Sequence, residues 1–328
     1  MKIAILSVTN QGKIISDKLY ENLVKNPLIL HIQQYHKNIK STVKEIFDKY
    51  DCIIAIMASG IIIRSIAPYV NSKLSDPAVI LIDDHGNFVI SLLSGHIGGA
   101  NDLTTKIASI INSTPVITTS TDVNNKIGVD SIAKRYYCHI TYPKNIQYIN
   151  KALVDNKIVD LYLPYKYSYI LTDNIKSSYN IHFDDKLDYI KSIYDNHEVI
   201  LTFKQLVMGI GARRNISPSK VKNAIEQACK ILEIPVERID FFATADVKKN
   251  EVGILENIKQ LNKSLKIIPM DSIKTYQNEE CSKSDFVMKQ FGVKGVCEPT
   301  CLIANDNSHL IFKKTAYDGV TIAVSLNG

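Results

Sequence analysis

Tryptophan is absent from this chain of 328 residues, which also contains few glycines (14) and prolines (10). Its six cysteines are scattered, and the one close pair, Cys297 and Cys301, flanks three residues. That spacing is not that of a zinc knuckle, and no second pair exists to complete one. The cysteine pattern therefore indicates reduced, structural thiols rather than a disulfide framework or a zinc site.

Long apolar runs are also missing from the sequence. None reaches the ~18–20 residues that a bilayer-spanning helix needs. The apolar start, residues 1–6, is too short for the core of a signal peptide and resembles a first strand. These features predict a cytoplasmic protein with no membrane partner.

Positive charge is spread thinly along the chain. The net charge is +6, and no long run of lysine and arginine contributes to it. Proteins that bind nucleic acids normally concentrate their basic residues on one face or segment. The charge pattern argues against a nucleic-acid partner and permits an anionic small molecule.

Apolar, β-branched segments alternate with helix-like segments over the first 132 residues and again from residue 206. This alternation is typical of an α/β fold with open, mostly parallel sheets and helices on both faces. Residues 133–205 differ, being rich in Tyr, Asn, Asp and Lys and containing short β-like runs. We therefore predict an N-terminal α/β domain (1–132), a small middle α+β domain (133–205) and a C-terminal α/β domain (206–328). A helix is predicted over 285–291.

A glycine-rich loop at residues 94–101 is the most informative local feature. It joins the apolar run 88–93 to a helix-like run, and such loops turn backbone N–H groups toward a bound anion. It also carries the hydroxyl of Ser94, the imidazole of His96 and the amide of Asn101. His96 is a candidate acid, base or metal ligand, and Ser94 a candidate nucleophile. A structural histidine and a loop-capping serine are the alternatives.

Two further polar segments, residues 59–60 and 118–122, follow predicted strands. Ligands of parallel sheets bind beyond the carboxyl ends of the strands. We therefore expect both segments to meet the loop 94–101 in one crevice.

The segment 209–214 opens like a dinucleotide-binding fingerprint, with Gly209 and Gly211, but lacks the third glycine. A nucleotide-dependent α/β enzyme is kept as an alternative. Arg213 and Arg214, at the end of this segment, suit carboxylates or phosphates, and the alternative is a pair of solvated surface arginines. Asp246 is a candidate catalytic acid or a helix cap.

Several of these segments resemble the cobalt-precorrin-5A hydrolase family of anaerobic cobalamin biosynthesis. The N-terminal resemblance lies in residues 58–68, 76–79, 91–101 and 115–122, and the C-terminal one in residues 209–214, 243–248 and 313–323. The family often has Cys where this chain has Ala212, so no role is assumed for that thiol. The resemblance covers nearly the whole chain and is least specific between residues 133 and 205.

The resemblance implies a ring-contracted cobalt tetrapyrrole carrying a δ-lactone as substrate. Hydrolysis would open the lactone, release acetaldehyde and give cobalt-precorrin-5B. Cobalt would arrive with the substrate, so neither a cofactor nor a protein metal site is expected. The resemblance leaves room for contacts with neighbouring enzymes of the pathway and for a homodimer. A non-catalytic corrinoid-binding or handover protein is the alternative of another class.

Residue roles follow from the motifs and the resemblance together. The candidate catalytic residues are His96, Ser94 and Asp246, with His96 as general base or axial cobalt contact. The candidate substrate-binding residues are Ser59, Gly60, Arg64, Gly95, Gly98, Gly99, Asn101, Thr119, Asp122, Gly209, Gly211, Arg213, Arg214, Thr244, Lys248 and Lys313.

Overall fold

The computed structural model describes residues 1–276, 278, 281–282, 288, 292–293 and 295–328. The helix predicted over 285–291 lies outside the described residues apart from Met288. The described strands are β1 (Lys2–Ser7), β2 (His31–His36), β3 (Cys52–Ile56), β4 (Ala78–Ile82), β5 (Phe88–Leu93), β6 (Thr114–Val116), β7 (Cys138–Thr141), β8 (Asp160–Leu163), β9 (Asn180–Phe183), β10 (Ile190–Tyr194), β11 (His197–Phe203), β12 (Leu206–Ala212), β13 (Phe241–Ala245), β14 (Leu265–Ile268), β15 (Ser308–Tyr317) and β16 (Val320–Asn327). The described α-helices are α1 (Asn10–Leu23), α2 (Ile39–Ile46), α3 (Ser59–Ile66), α4 (Ala100–Ile111), α5 (Ser120–Val123), α6 (Val129–Arg135), α7 (Ile146–Val154), α8 (Asp173–Ser178), α9 (Pro218–Leu232), α10 (Val252–Gln260), α11 (Met270–Thr275) and α12 (Cys297–Ala304).

The first sheet has the strand order β2-β1-β3-β4-β5-β6. Successive side chains of a strand point to opposite faces, so β1 sends Ile3 and Ile5 to one core and Ala4 and Leu6 to the other. Helices α1 and α4 cover the first of these cores, and α2 and α3 cover the second. The predicted α/β class is confirmed by this sheet, whose central strands are buried on both faces.

One hairpin reverses the direction of the sheet. Strands β1 to β4 are parallel, but β5 runs antiparallel to β4, and β6 is parallel to β5. Asp83 holds the connecting turn by accepting bonds from the backbone N–H groups of His85 and Phe88 and from the Asn87 amide. The carboxyl ends of β5 and β6 consequently lie at the edge where β1, β3 and β4 begin.

The second sheet, β7-β11-β10-β8-β9, is antiparallel except for the pair of β8 and β9. Its core includes the buried sides of α6 and α7. Ile97 of the glycine loop packs against the same core. The loop is thus anchored between the first sheet and the second.

The third sheet has the order β14-β13-β12-β16-β15, with parallel pairing among β12, β13 and β14 and antiparallel pairing of β16 with both neighbours. Helix α12 packs on β12 and β16, and α9 packs on β16 and α10.

The chain divides into two compact units, residues 1–203 and 204–328. The first unit holds two of the sheets, and the three-domain division stays a prediction. Among the described helices, none combines the length and apolarity required to cross a bilayer.

Candidate active site

His96 lies between two carboxylates contributed by different segments. Its Nε2 is 2.8 Å from Asp122 Oδ2, and its Nδ1 is 3.1 Å from Asp130 Oδ2. The Asp122 side chain is 39% exposed, whereas those of His96 and Asp130 are 12% and 4% exposed. Thr121 Oγ1 lies 3.0 Å from His96 Nε2. We call Asp122, His96 and Asp130 the carboxylate–histidine cluster.

The cluster keeps His96 protonated near neutral pH. Burial opposes the charge, but the hydrogen bonds and negative charges of Asp122 and Asp130 outweigh it and raise the His96 pKa to about 10. Reciprocally, the bond from His96 lowers the pKa of Asp122. Burial raises the pKa of Asp130, yet its bond and attraction to His96 give a net lowering. The cluster is therefore an imidazolium flanked by two ionised carboxylates.

This geometry bears on the role of His96, which stays a prediction. A free general base or an axial cobalt ligand needs a ring nitrogen with an available lone pair. Both ring nitrogens of His96 face carboxylates, and the raised pKa makes both of them donors. In this state His96 is a proton donor.

Asn101 joins the glycine loop to the segment after β6. Its Nδ2 donates to Thr119 Oγ1 at 3.0 Å and to Asp122 Oδ2 at 3.1 Å, and its Oδ1 accepts from Ser91 at 2.7 Å. A Cβ at Gly95 would lie 2.7 Å from Asn101 Oδ1, so only glycine leaves room for this amide. The structure thus brings the predicted segments 94–101 and 118–122 together.

Asp130 is held by groups that the sequence analysis did not identify. Asn150 of α7 donates to Asp130 Oδ1 at 2.8 Å and accepts from the backbone N–H of Val129 at 3.1 Å. A Cβ at Gly128 would lie 2.7 Å from Asp130 Oδ1. The backbone turn at 128–130 and helix α7 therefore fix the carboxylate that faces His96 Nδ1.

A cavity of about 440 Å³ opens beside the cluster. It lies within the first unit, and its lining includes the glycine loop, the segment 119–121, Asp130 and one side of α7. Ligand sites commonly occupy ~300–1,000 Å³. The cavity can therefore take a small molecule, or one part of a larger one, next to His96.

Ser94 does not form the predicted nucleophile–base pair. Its Oγ is buried and has no hydrogen-bond partner among the described residues, while the His96 ring nitrogens bind carboxylates. Ser94 adopts a φ of 57°, and a Cβ at Gly98 would lie only 2.5 Å from its Cβ. Ser94, Gly98 and Gly99, with a φ of 83°, form the bend that starts α4.

Residues 59–60 do not reach this crevice, contrary to the prediction. They follow β3, and Thr121 and His96 lie at the opposite edge because the hairpin after β4 reverses β5 and β6. A strand of five residues separates the two edges by roughly 15 Å at ~3.3 Å per residue. Arg64 is exposed and folds back over Gly60 of its own helix.

The predicted phosphate-type loop at Gly209 and Gly211 is part of strand β12. Gly209 is buried, and a Cβ there would overlap the backbone oxygen of Cys297 in α12. Thr244 is also buried, and its hydroxyl donates to the Ile210 carbonyl at 2.7 Å. Gly209 thus permits close packing of β12 on α12, and Thr244 bonds to the neighbouring strand. The substrate-binding role of these residues stays a prediction, while their place in a regular strand weakens the nucleotide alternative.

The remaining C-terminal candidates belong to the second unit. Asp246 Oδ2 accepts from the Met270 N–H at 3.2 Å, and its Oδ1 is buried without a hydrogen-bond partner among the described residues. Arg213 and Arg214 are exposed after β12, and Lys248 ends the 3₁₀ turn Asp246–Lys248. Lys313 lies in β15, where burial lowers its pKa. Within the described part of the chain, no hydrogen bond or ion pair joins these side chains to one another.

Two protein families match the sequence. Residues 41–122 match the family described as Cobalamin synthesis G N-terminal, and residues 206–325 match Cobalamin synthesis G C-terminus. Asp130 and Asn150 lie between the two matched regions.

Full-length relatives extend the match to the whole chain. A protein named probable cobalt-precorrin-5A hydrolase from Methanocaldococcus jannaschii is 33% identical over 336 residues, which cover 99% of each chain. A cobalt-precorrin-5A hydrolase from Priestia megaterium is 29% identical over 317 residues, covering 90% of this chain and 84% of the relative. The crystal structure of a cobalamin biosynthesis protein G homolog from Sulfolobus solfataricus is 28% identical with a TM-score of 0.59, covering 100% of this chain and 97% of its own.

Proposed function

The chain belongs to the cobalt-precorrin-5A hydrolase family, and from that premise we propose that it opens the δ-lactone of cobalt-precorrin-5A and releases acetaldehyde, giving cobalt-precorrin-5B. The relative from Methanocaldococcus jannaschii, similar over 99% of both chains, supports this assignment. The reaction belongs to cobalamin biosynthesis. Cobalt arrives with the substrate, so the proposal requires no cofactor and no protein-bound metal. We propose the cytoplasm as the compartment.

The carboxylate–histidine cluster is the observation that supports this chemistry best. A protonated imidazole stands beside a cavity, with a half-exposed carboxylate on one side and a buried one on the other. Lactone opening needs one group that activates water and another that protonates the departing oxygen. Asp122 and His96 supply these two groups.

In the first step, water attacks the lactone carbonyl and loses its proton to Asp122. The described hydrogen bonds of the Asp122 side chain fall on Oδ2, which leaves Oδ1 to hold the water. The acyl C–O bond then breaks, and His96 Nε2 gives its proton to the leaving alkoxide. The products of this step are a free acetate side chain and a hydroxyethyl group on the ring.

In the second step, His96 acts in the opposite direction. Having lost a proton, its imidazole accepts the hydroxyl proton of the hydroxyethyl group. The carbon–carbon bond to the ring breaks, acetaldehyde leaves, and the electron pair enters the metallated macrocycle. Asp130 stabilises the imidazolium that forms again, because it is buried and fixed by Asn150.

Incubation of the purified protein with cobalt-precorrin-5A tests the function directly. We expect one acetaldehyde per lactone consumed, measured together with the mass of the corrinoid product. Substrate binding without acetaldehyde would overturn the proposal and favour the corrinoid handover protein.

The role of His96 has its own test. His96→Gln keeps a polar side chain but cannot donate the proton, so we expect kcat to fall roughly 100-fold or more. Unchanged turnover of the lactone by this variant would remove His96 from the mechanism.

A further inference from the structure

Helix α7 presents two chemically different sides. Its core side consists of Ile146, Ile149, Ala152 and Leu153. The side that lines the cavity carries Gln147, Asn150, Lys151 and Val154. Positions spaced by three and four residues fall on one side of a helix. The polar side of α7 is therefore a wall of the cavity.

The polar side chains of this wall differ in whether another residue of the protein already bonds to them. The Asn150 amide already bonds to Asp130 and to the backbone of Val129. Gln147 and Lys151 form no hydrogen bond or ion pair with another described residue, and the same holds for Lys73, which lines the cavity from the segment before β4. Two ammonium groups and one amide are thus free to bind a ligand.

The charges around the cavity show which ligand these groups suit. The carboxylate–histidine cluster carries two negative charges and one positive charge, so by itself it repels an anion. Lys73 and Lys151 reverse that balance on the approach to the cluster. Ammonium groups bind carboxylates through charge-assisted hydrogen bonds.

We propose that Lys73 and Lys151, with the amide of Gln147, bind a peripheral carboxylate of the tetrapyrrole and so determine which edge of the macrocycle reaches His96. This inference rests on the proposed function and deepens it. It gives α7, which lies outside both matched family regions, a part in substrate recognition. These residues are positioning and specificity residues, since they contact the periphery of the substrate and not the reacting atoms.

Steady-state kinetics of Lys73→Gln and Lys151→Gln with cobalt-precorrin-5A test the proposal. We expect KM to rise roughly 5-fold for each change and kcat to stay within about twofold, because an exposed charged contact contributes to binding only modestly. Lys151→Arg should remain close to the parent protein, since it keeps the charge and a donor. Lys144→Gln is the matched control, as it removes an exposed lysine next to α7 that does not line the cavity.

The outcomes separate this inference from the proposed function. If the parent protein releases no acetaldehyde, the proposed function fails. If the parent is active and both lysine variants have the KM of the Lys144→Gln control, only the proposed carboxylate-binding role of Lys73 and Lys151 is wrong. A fall in kcat at unchanged KM would also overturn the inference, because it would place the lysines in the chemistry.

Discussion

At the scale of single residues, the charge on His96 determines the pH dependence expected of the reaction. Asp130→Asn removes one of the two carboxylates that raise the His96 pKa to about 10. We expect the alkaline loss of kcat/KM to move down by roughly 1–2 pH units, because the proton is held less tightly. A pH–rate profile measures this, and NMR titration of the imidazole gives an independent reading.

Asp160→Asn is the matched control for that experiment. Asp160 also binds a histidine, at 2.7 Å from His182 Nε2, but it does not line the cavity. An alkaline limb that stayed in place in Asp130→Asn would contradict the assignment of the limb to His96.

The raised pKa of His96 also makes the stability of the folded protein depend on pH. Because folding raises the His96 pKa from 6.5 to about 10, its contribution is fully present below pH 6.5 and is lost as pH rises through the folded value. We expect the stability advantage over His96→Gln to shrink by on the order of 2 kcal/mol between pH 6 and pH 10. Urea unfolding of both proteins at the two pH values measures it, and an advantage that grew with pH would refute the explanation.

Sequence patterns could identify one side of the carboxylate–histidine cluster and not the other. Asp122 follows a predicted strand end, which is where binding residues of parallel sheets concentrate. Asp130 lies 34 residues from His96 at the start of a helix, and no spacing rule connects them. Its one local signal is Gly128, whose missing side chain leaves room for the carboxylate.

At the scale of elements, strand β12 offers a comparison of two glycines. A Cβ at Gly209 meets the backbone oxygen of Cys297, whereas one at Gly211 meets the hydroxyl end of Thr321. A side chain can rotate away and a helix backbone cannot. We expect Gly209→Ala to lower the free energy of unfolding by roughly 1–3 kcal/mol and Gly211→Ala by less. Equal losses in chemical denaturation would argue against helix packing as the reason for Gly209.

The direction of β5 shows what a strand-by-strand reading can miss. The pattern predicted the strands and the turn over 83–87, but placed all loops at one edge of the sheet. A connection this short joins only antiparallel neighbours, since a parallel crossover needs a dozen or more residues. The length of the turn was therefore a signal that residues 59–60 and 94–101 lie at opposite edges.

At the scale of the whole molecule, every described hydrogen-bond partner of His96 lies in the unit 1–203. We expect a protein ending at Phe203 to retain the raised His96 pKa, measured by NMR titration of the imidazole. A value near the ordinary 6.5 would show that the cluster depends on residues 204–328. Turnover by the same fragment tests whether the second unit takes part in the reaction.

The support that α7 gives to Asp130 has a consequence for evolution. Natural chains that carry the two matched family regions without the intervening stretch would retain the histidine and lose its buried counter-ion. In such a chain the imidazole would keep only the half-exposed carboxylate that matches Asp122, and its pKa would be lower than in this protein.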